Sequence, residues 1–167
     1  MDEGLLLTRV AIGLLMAAHG AQKLFGWFGG YGLDGTAGFF EGLGFRPGRL
    51  FVISAAASEI GSGLLLALGL FTPLAAALMV SVMVVAAVSV HLPNGLFAQN
   101  NGIELPLVYG IVAAGIALTG PGAFSADAVL GLTALWTPAV VWASLALAVI
   151  GGLGNLALRR QNQTVTA

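Results

Sequence analysis

Cysteine is absent from this sequence of 167 residues. Structural disulfides, thiolate ligation of metals and thiol–disulfide exchange by the chain itself are therefore excluded. Charge is also scarce: Asp, Glu, Lys and Arg make up only 8% of the residues, against about a quarter in soluble domains. The basic residues stand singly or in pairs and the formal net charge is -1, so nucleic acid is not an expected partner.

Apolar residues are abundant, at 58% of the chain, and the mean hydropathy is +0.98. This composition predicts an all-α fold, a polytopic transmembrane helical bundle surrounded by the lipid bilayer. Five apolar runs have membrane-spanning length, at about 5–25, 50–71, 74–91, 104–119 and 138–158. Acidic residues precede the first run where a cleaved signal would carry positive charge, so we expect the first helix to stay in the protein.

We divide the chain into a four-span membrane bundle over residues 1–130 and an additional apolar helix with a short polar tail over residues 131–167. A short helix is expected near Thr36 to Leu43, at the membrane surface. Thr72 has the residue type of a helix N-cap and the next residue is proline, which predicts a tight turn before the third span. Ser125 and Asp127 are placed to cap a short helix after the fourth span.

The distribution of basic residues predicts an orientation in the membrane. With five spans, five of the six Lys and Arg fall on one side: Lys23, Arg46, Arg49, Arg159 and Arg160. The positive-inside bias places that side in the cytoplasm. We therefore expect a multi-pass protein of the plasma membrane with its N-terminus outside and its C-terminus in the cytoplasm.

Polar side chains gather at one end of the predicted bundle. His19, Gln22 and Lys23 end the first apolar run, and their spacing places them on one helix face. Antiparallel spans bring three further ionisable residues to the same end: Glu59, His91 and Glu104. Because an unpaired charge in hydrocarbon costs about 2.5–3.5 kcal/mol, we expect Lys23 to pair with Glu59.

Each of these residues also has a structural explanation. Lys23 could extend to the interface while Glu59 stays protonated and hydrogen-bonded, the histidines could pack in the core or at the interface, and Glu104 could stabilise a helix N-terminus. A haem between His19 and His91 and a metal site formed with both glutamates are weaker alternatives. Our assignment includes no metal.

A quinone ring needs hydrogen-bond donors for its carbonyls, a group that moves protons and an apolar slot, and this end of the bundle could supply all of them. We assign the donor role to His19 and Lys23, and proton transfer to Glu59 or His91. The walls are assigned to Trp27 and Phe28, and the expected ligand-binding set comprises His19, Gln22, Lys23, Trp27, Glu59 and Glu104. If the chain is catalytic, the candidates are His19, Glu59 and His91. No electron-carrier motif is visible, so electrons would come from a partner subunit or from a cofactor bound without a recognisable motif.

Several motifs carry a family resemblance. They are His19-Gly-x-Gln-Lys-Leu-Phe-Gly-Trp-Phe-Gly-Gly30, then Glu59 followed by Gly61-x-Gly63-Leu-Leu-Leu66, Asn101-Gly-x-Glu104-x-Pro106, and Gly120-Pro-Gly-x-x-Ser-x-Asp127. Together, over residues 5–130, they resemble the DoxX family of small bacterial and archaeal membrane proteins. The resemblance implies a four-helix membrane unit and a link to quinone-dependent redox or oxidative-stress complexes.

The leading hypothesis is therefore a DoxX-like membrane subunit associated with quinone-linked redox chemistry, with its site at the polar end of the bundle. One alternative is a noncatalytic scaffold that docks a partner enzyme. Another is a carrier of small molecules or lipids that uses the same space. Protein partners in a membrane complex are expected, and the small residues of the second span would also allow a homo-oligomer.

Overall fold

The computed structural model describes residues 1–160, and every regular element in that range is helical. The α-helices are α1 (Asp2–Phe25), α2 (Gly32–Gly42), α3 (Gly48–Leu68), α4 (Thr72–Ala86), α5 (Glu104–Thr119), α6 (Ala126–Val129) and α7 (Pro138–Ala157). α4 continues through a π-helical turn (Ala87–His91) and a 3-10 turn (Leu92–Asn94). The predicted helical membrane bundle is confirmed, and most of the predicted polar tail lies outside the described residues.

The five predicted apolar runs all form helices. α1, α3, α7 and the extended α4 are long and apolar enough to cross a membrane, so this is a multi-pass membrane protein. α5 has the predicted bounds, but its 16 residues cover only about 24 Å, whereas the hydrocarbon core is about 30 Å thick. The short helix expected near Thr36 to Leu43 is present as α2, which begins earlier, at Gly32.

The helices pack as two connected groups. α1 packs mainly on α3, whereas α4 packs on α5 and α7, and contacts between α3 and α4 join the groups. α2 lies across the ends of α1 and α3. The buried core draws on each of the long helices and on α5, with Met16, Leu66, Met79, Tyr109 and Leu145 among its members.

Small residues let α1 and α3 approach backbone to backbone. A Cβ on Gly13 would collide with the carbonyl oxygen of Gly63, and a Cβ on Gly63 would collide with that of Gly13. Gly20 makes a second close approach, where a Cβ would lie 2.7 Å from the carbonyl oxygen of Ala56. The small residues predicted to allow helix approach in the second span therefore do so at Gly63, whereas Gly61 has open space beside it.

The turn between α3 and α4 corrects the prediction for Thr72. The N-cap of α4 is Phe71, which has φ 48°, while Thr72 is the first helical residue and its buried hydroxyl has no hydrogen-bond partner within residues 1–160. The capping oxygens come instead from Asp127, whose carboxylate accepts hydrogen bonds from the backbone N–H groups of Phe71 (2.8 Å) and Thr72 (2.9 Å). Ser125 caps α6 as predicted, with Oγ accepting from the Ala128 N–H at 3.1 Å.

The C-terminal end of α7 meets the connection between α2 and α3. The Arg159 Nε donates to the carbonyl oxygen of Leu43 at 2.8 Å, and its guanidinium lies 5.6 Å from the centre of the Phe45 ring. The backbone N–H of Arg160 donates to the carbonyl oxygen of Gly44 at 2.8 Å. This end of the bundle, where α1 and α7 end and α3 begins, is called the charged pole below.

Candidate functional site

An ion pair joins α1 to α3 at the charged pole. The Lys23 Nζ lies 2.5 Å from Oε1 and 2.6 Å from Oε2 of Glu59, so the ammonium bridges both carboxylate oxygens. The Glu59 side chain is 4% exposed and that of Lys23 is 28% exposed. The expected pairing is therefore present, and the carboxylate is sequestered while the ammonium keeps some access to solvent.

Local backbone features on α1 place Lys23 beside Glu59. Because Gly20 has no side chain, α3 approaches α1 one turn before Lys23, and a Cβ on Gly20 would lie 3.1 Å from the Glu59 Cβ. α1 ends at Phe25 and is followed by Gly26, whose φ of 72° is a left-handed conformation that glycine adopts without strain. The lysine thus stands in the last turn of α1 and reaches back to the carboxylate.

The ion pair lines a cavity of about 340 Å³, which we call the inner cavity. Its polar lining consists of the ion pair, His91, four serines and one asparagine: Ser54, Ser58, Ser81, Ser89 and Asn155. Its aromatic walls are Phe39, Phe40, Phe45 and Phe51. The cavity is therefore an apolar space with charged and hydroxyl groups on its lining, which is the general character of small-molecule sites.

α2 covers the inner cavity at the charged pole and is fastened to α3. The Glu41 Oε1 accepts a hydrogen bond from the Gly48 N–H at 2.9 Å, so a side chain of α2 caps the N-terminus of α3. On the exposed face, the Arg49 Nη2 lies 2.5 Å from the Asp34 Oδ1. The bond from Gly48 to Glu41 fixes the second half of α2, which carries Phe39 and Phe40 of the cavity lining, whereas the exposed Asp34–Arg49 pair contributes little to this attachment.

His91 contributes a ring to the inner cavity from the end of α4. Its Nδ1 lies 2.8 Å from the carbonyl oxygen of Asn101. A carbonyl can only accept, so Nδ1 carries the proton, and in the neutral ring Nε2 is then an acceptor. The π-helical turn that ends at His91 also orients Ser89, whose Oγ donates to the Val85 carbonyl at 2.6 Å.

Glu104 has a local role. It is the first residue of α5, and its Oε2 accepts a hydrogen bond from the Ala98 N–H at 2.7 Å, which ties the preceding loop to the helix. It lines neither the inner cavity nor the groove described next. The carboxylate also stands in the first turn of α5, where the helix dipole stabilises negative charge.

His19 and Gln22 do not line the inner cavity but a second space, which also borders Lys23. Together with Lys23 they line an open groove of about 560 Å³, the outer groove, which is bordered by Gly29, Gly30, Tyr31 and Thr36. The His19 ring packs edge-on against Tyr109 of α5, with ring centres 5.8 Å apart. The Gln22 Nε2 donates to the carbonyl oxygen of Phe28 at 3.2 Å, which fixes the loop after α1.

The predicted site residues are thus divided between two spaces. Lys23, Glu59 and His91 line the inner cavity, and His19, Gln22 and Lys23 line the outer groove. Trp27 and Phe28 are exposed and line neither, so the aromatic walls come from α2 and α3 instead. Within residues 1–160, no three His, Asp or Glu side chains lie close enough together to hold a metal ion.

Sequence reasoning missed a second polar cluster at the opposite pole of the bundle. Arg9 and Asp127 are both completely buried there. The Arg9 Nη2 donates to the Phe124 carbonyl oxygen at 2.7 Å, while its Nε and Nη1 have no partner among the described residues. A charged residue near the start of an apolar run was the available signal, since such a residue must be satisfied inside the bundle.

Comparison with known proteins identifies the family. The DoxX family model matches residues 4–92, which is more than half of the chain and includes His19, Lys23, Glu59 and His91. The motifs after residue 92, including Asp127, lie beyond the matched range. No curated protein and no solved structure gave a significant match. The chain therefore belongs to the DoxX family.

Proposed function

We propose that the inner cavity binds the ring of a quinone-like redox lipid and that the protein serves as a subunit of a quinone-linked membrane complex. The observation that carries this proposal is the inner cavity itself, which places an ammonium, a carboxylate and an imidazole around one aromatic-walled space. Its volume of about 340 Å³ is at the small end of the range for ligand sites, about 300–1,000 Å³. It suits a single ring, with the lipid tail extending into the bilayer.

The lining residues offer the hydrogen bonds that such a ring needs. Lys23 has three ammonium protons, and two suffice for the contacts to Glu59, so one is available for a carbonyl oxygen. On the α4 side, the acceptor nitrogen of His91 can receive a bond from a hydroxyl. The serine hydroxyls can serve as either donors or acceptors. The residues therefore fit both the carbonyl and the hydroxyl form of a quinone ring.

We further propose that the charged pole faces the cytoplasm and that electrons are supplied by a partner subunit. The bonds from Arg159 to Leu43 and from Arg160 to Gly44 bring the C-terminal arginines to the same pole as Lys23. This grouping supports the positive-inside orientation, and so a plasma-membrane location with the N-terminus outside.

The test is to identify the lipids that accompany the protein. Wild-type protein would be purified in native nanodiscs and extracted for mass spectrometry, together with Ser58→Phe, which fills the inner cavity, and Gly61→Phe as the matched control. A side chain at position 61 has open space, so that variant leaves the cavity intact. We expect quinone in the wild type and in Gly61→Phe, and its loss from Ser58→Phe.

Equal quinone content in all three proteins would contradict the proposal, as would its absence from the wild type. Loss of a different lipid from Ser58→Phe alone would contradict the quinone assignment and favour the carrier alternative.

A further inference from the structure

The inner cavity and the outer groove are separated by a thin partition. Lys23, Phe39 and Phe40 are the only residues that line both spaces within residues 1–160. Glu59 lines only the inner cavity, whereas His19 and Gln22 line only the outer groove. The two phenylalanines are apolar, so Lys23 provides the polar connection between the two spaces.

We propose that the Lys23–Glu59 pair carries protons from the outer groove to a ligand in the inner cavity. This inference rests on the proposed function, because it needs a ligand oxygen in the cavity that gains a proton. The relay specifies the side from which the proton arrives and the residues through which it passes, neither of which the cavity alone indicates.

The proton balance of the relay is simple. The Lys23 ammonium gives one proton to the Glu59 carboxylate, which leaves a neutral amine and a neutral carboxylic acid. Glu59 then gives its proton to an oxyanion of the cavity ligand, and Lys23 takes one proton from the outer groove. The ion pair is restored, one proton has moved from the groove to the ligand oxygen, and no electron is transferred.

The contact distances suit this exchange. Both carboxylate oxygens lie within 2.6 Å of the lysine nitrogen, so the proton moves along an existing hydrogen bond. The partial exposure of the Lys23 side chain, 28%, gives it access to the groove, while the 4% exposure of Glu59 keeps bulk water from the carboxylate. Each residue therefore faces the side on which the relay uses it.

Other titratable groups define the two ends of the path. His19 and Tyr31 line the groove, and His19 lies four residues before Lys23 on the same face of α1. On the cavity side the remaining titratable group is His91, whose Nδ1 proton is engaged by the Asn101 carbonyl oxygen. On the groove side, the His19 imidazole and the Tyr31 hydroxyl are thus the groups that can pass a proton to Lys23.

The experiment follows the protonation of a coloured quinone bound to the full-length chain in nanodiscs. Naphthazarin is a dihydroxynaphthoquinone whose neutral and anionic forms differ in visible absorbance. Equilibrium titration first establishes binding, and a stopped-flow drop in pH at saturating probe then measures how fast the bound anion is protonated. Glu59→Gln removes the relay carboxyl, and Asp34→Asn is the matched control, since that exposed carboxylate at the charged pole lines neither space.

We expect protonation of the bound probe to be about 100-fold or more slower in Glu59→Gln than in the wild type and unchanged in Asp34→Asn. Because Glu59→Gln leaves a partly buried ammonium without its counter-ion, the Lys23→Met, Glu59→Met double variant gives a second test with no buried charge, and the same slowing is expected. Bound probe that is protonated at the wild-type rate in either variant overturns the relay but leaves the proposed function standing. Failure of the wild type to bind naphthazarin overturns both.

Discussion

The guanidinium group of Arg9 lies directly against Gly69, so closely that a Cβ at position 69 would overlap its Nη1. Gly69 ends α3 with φ 65°, and its carbonyl oxygen accepts a hydrogen bond from the Asp127 N–H at 2.9 Å. The end of α3 therefore provides both the space for the buried arginine and an attachment point for α6.

Gly69→Ala should destabilise the protein by about 2 kcal/mol or more, because it combines left-handed backbone strain with displacement of Arg9. The matched control is Gly131→Ala, which has the same strain at φ 69° but no neighbour within 4 Å of the added carbon. Thermal unfolding in detergent, followed by circular dichroism, gives the comparison. Equal losses in the two variants would show that the contact with Arg9 is unimportant.

Asp127→Ala should lower the free energy of unfolding by about 3 kcal/mol or more, because two N–H groups at the start of α4 lose their acceptor and buried Arg9 loses a nearby negative charge. Asp34→Ala removes an exposed carboxylate bound to Arg49 and should cost about 0.5 kcal/mol or less. Denaturant titration of both variants in the same detergent measures the difference. A small effect of Asp127→Ala would refute the capping role.

A double-mutant cycle at Lys23 and Glu59 should be strongly non-additive. Each single change to Met leaves one charge unpaired within the bundle and should cost about 3–5 kcal/mol, whereas the double change removes both charges and should cost much less than their sum. Unfolding of the four proteins provides the coupling energy. Additive losses would mean that the two side chains do not stabilise each other.

Gly63→Val should separate α1 from α3, since the added atoms meet the Gly13 carbonyl oxygen and the Ala17 backbone. Gly61→Val, two residues earlier on the same helix, adds the same atoms where no heavy atom lies within 4 Å. We expect a large loss of monodisperse protein in size-exclusion chromatography for Gly63→Val only. Similar profiles for both variants would contradict the close crossing.

The sequence predicted the helices well because membrane spans are long and strongly apolar. It predicted both ends of α5, where Glu104 opens the helix and Thr119 is followed by Gly120, which has a non-helical φ of 89°, and then by Pro121. The pairing of Lys23 with Glu59 was predictable for a related reason. In a chain with so few charges, a buried carboxylate has few available partners.

Features that depend on contacts between distant segments could not be predicted in the same way. Asp127 caps α4 from 55 residues away, and its residue type fits equally well with capping its own helix. Ser54, Ser58 and Ser81 have the small size expected for close helix packing, and only the arrangement of α3, α4 and α7 shows that they line a cavity. The side chains of His91 and Glu104 close the loop between them by bonding to backbone groups of Asn101 and Ala98, and residue type does not show where such backbone partners lie.

The close contact of α1 and α3 has a mechanical consequence. Backbone touching backbone at Gly13 and again at Gly20 leaves almost no compressible side-chain volume between the two helices, so they should behave as a single rigid body. Lys23 and Glu59 would then keep a fixed spacing while the rest of the bundle fluctuates. A molecule can therefore enter the space beside them only if α2, α4 or α7 is displaced. Those three helices form the mobile side of the space, and the α1–α3 pair forms the fixed side.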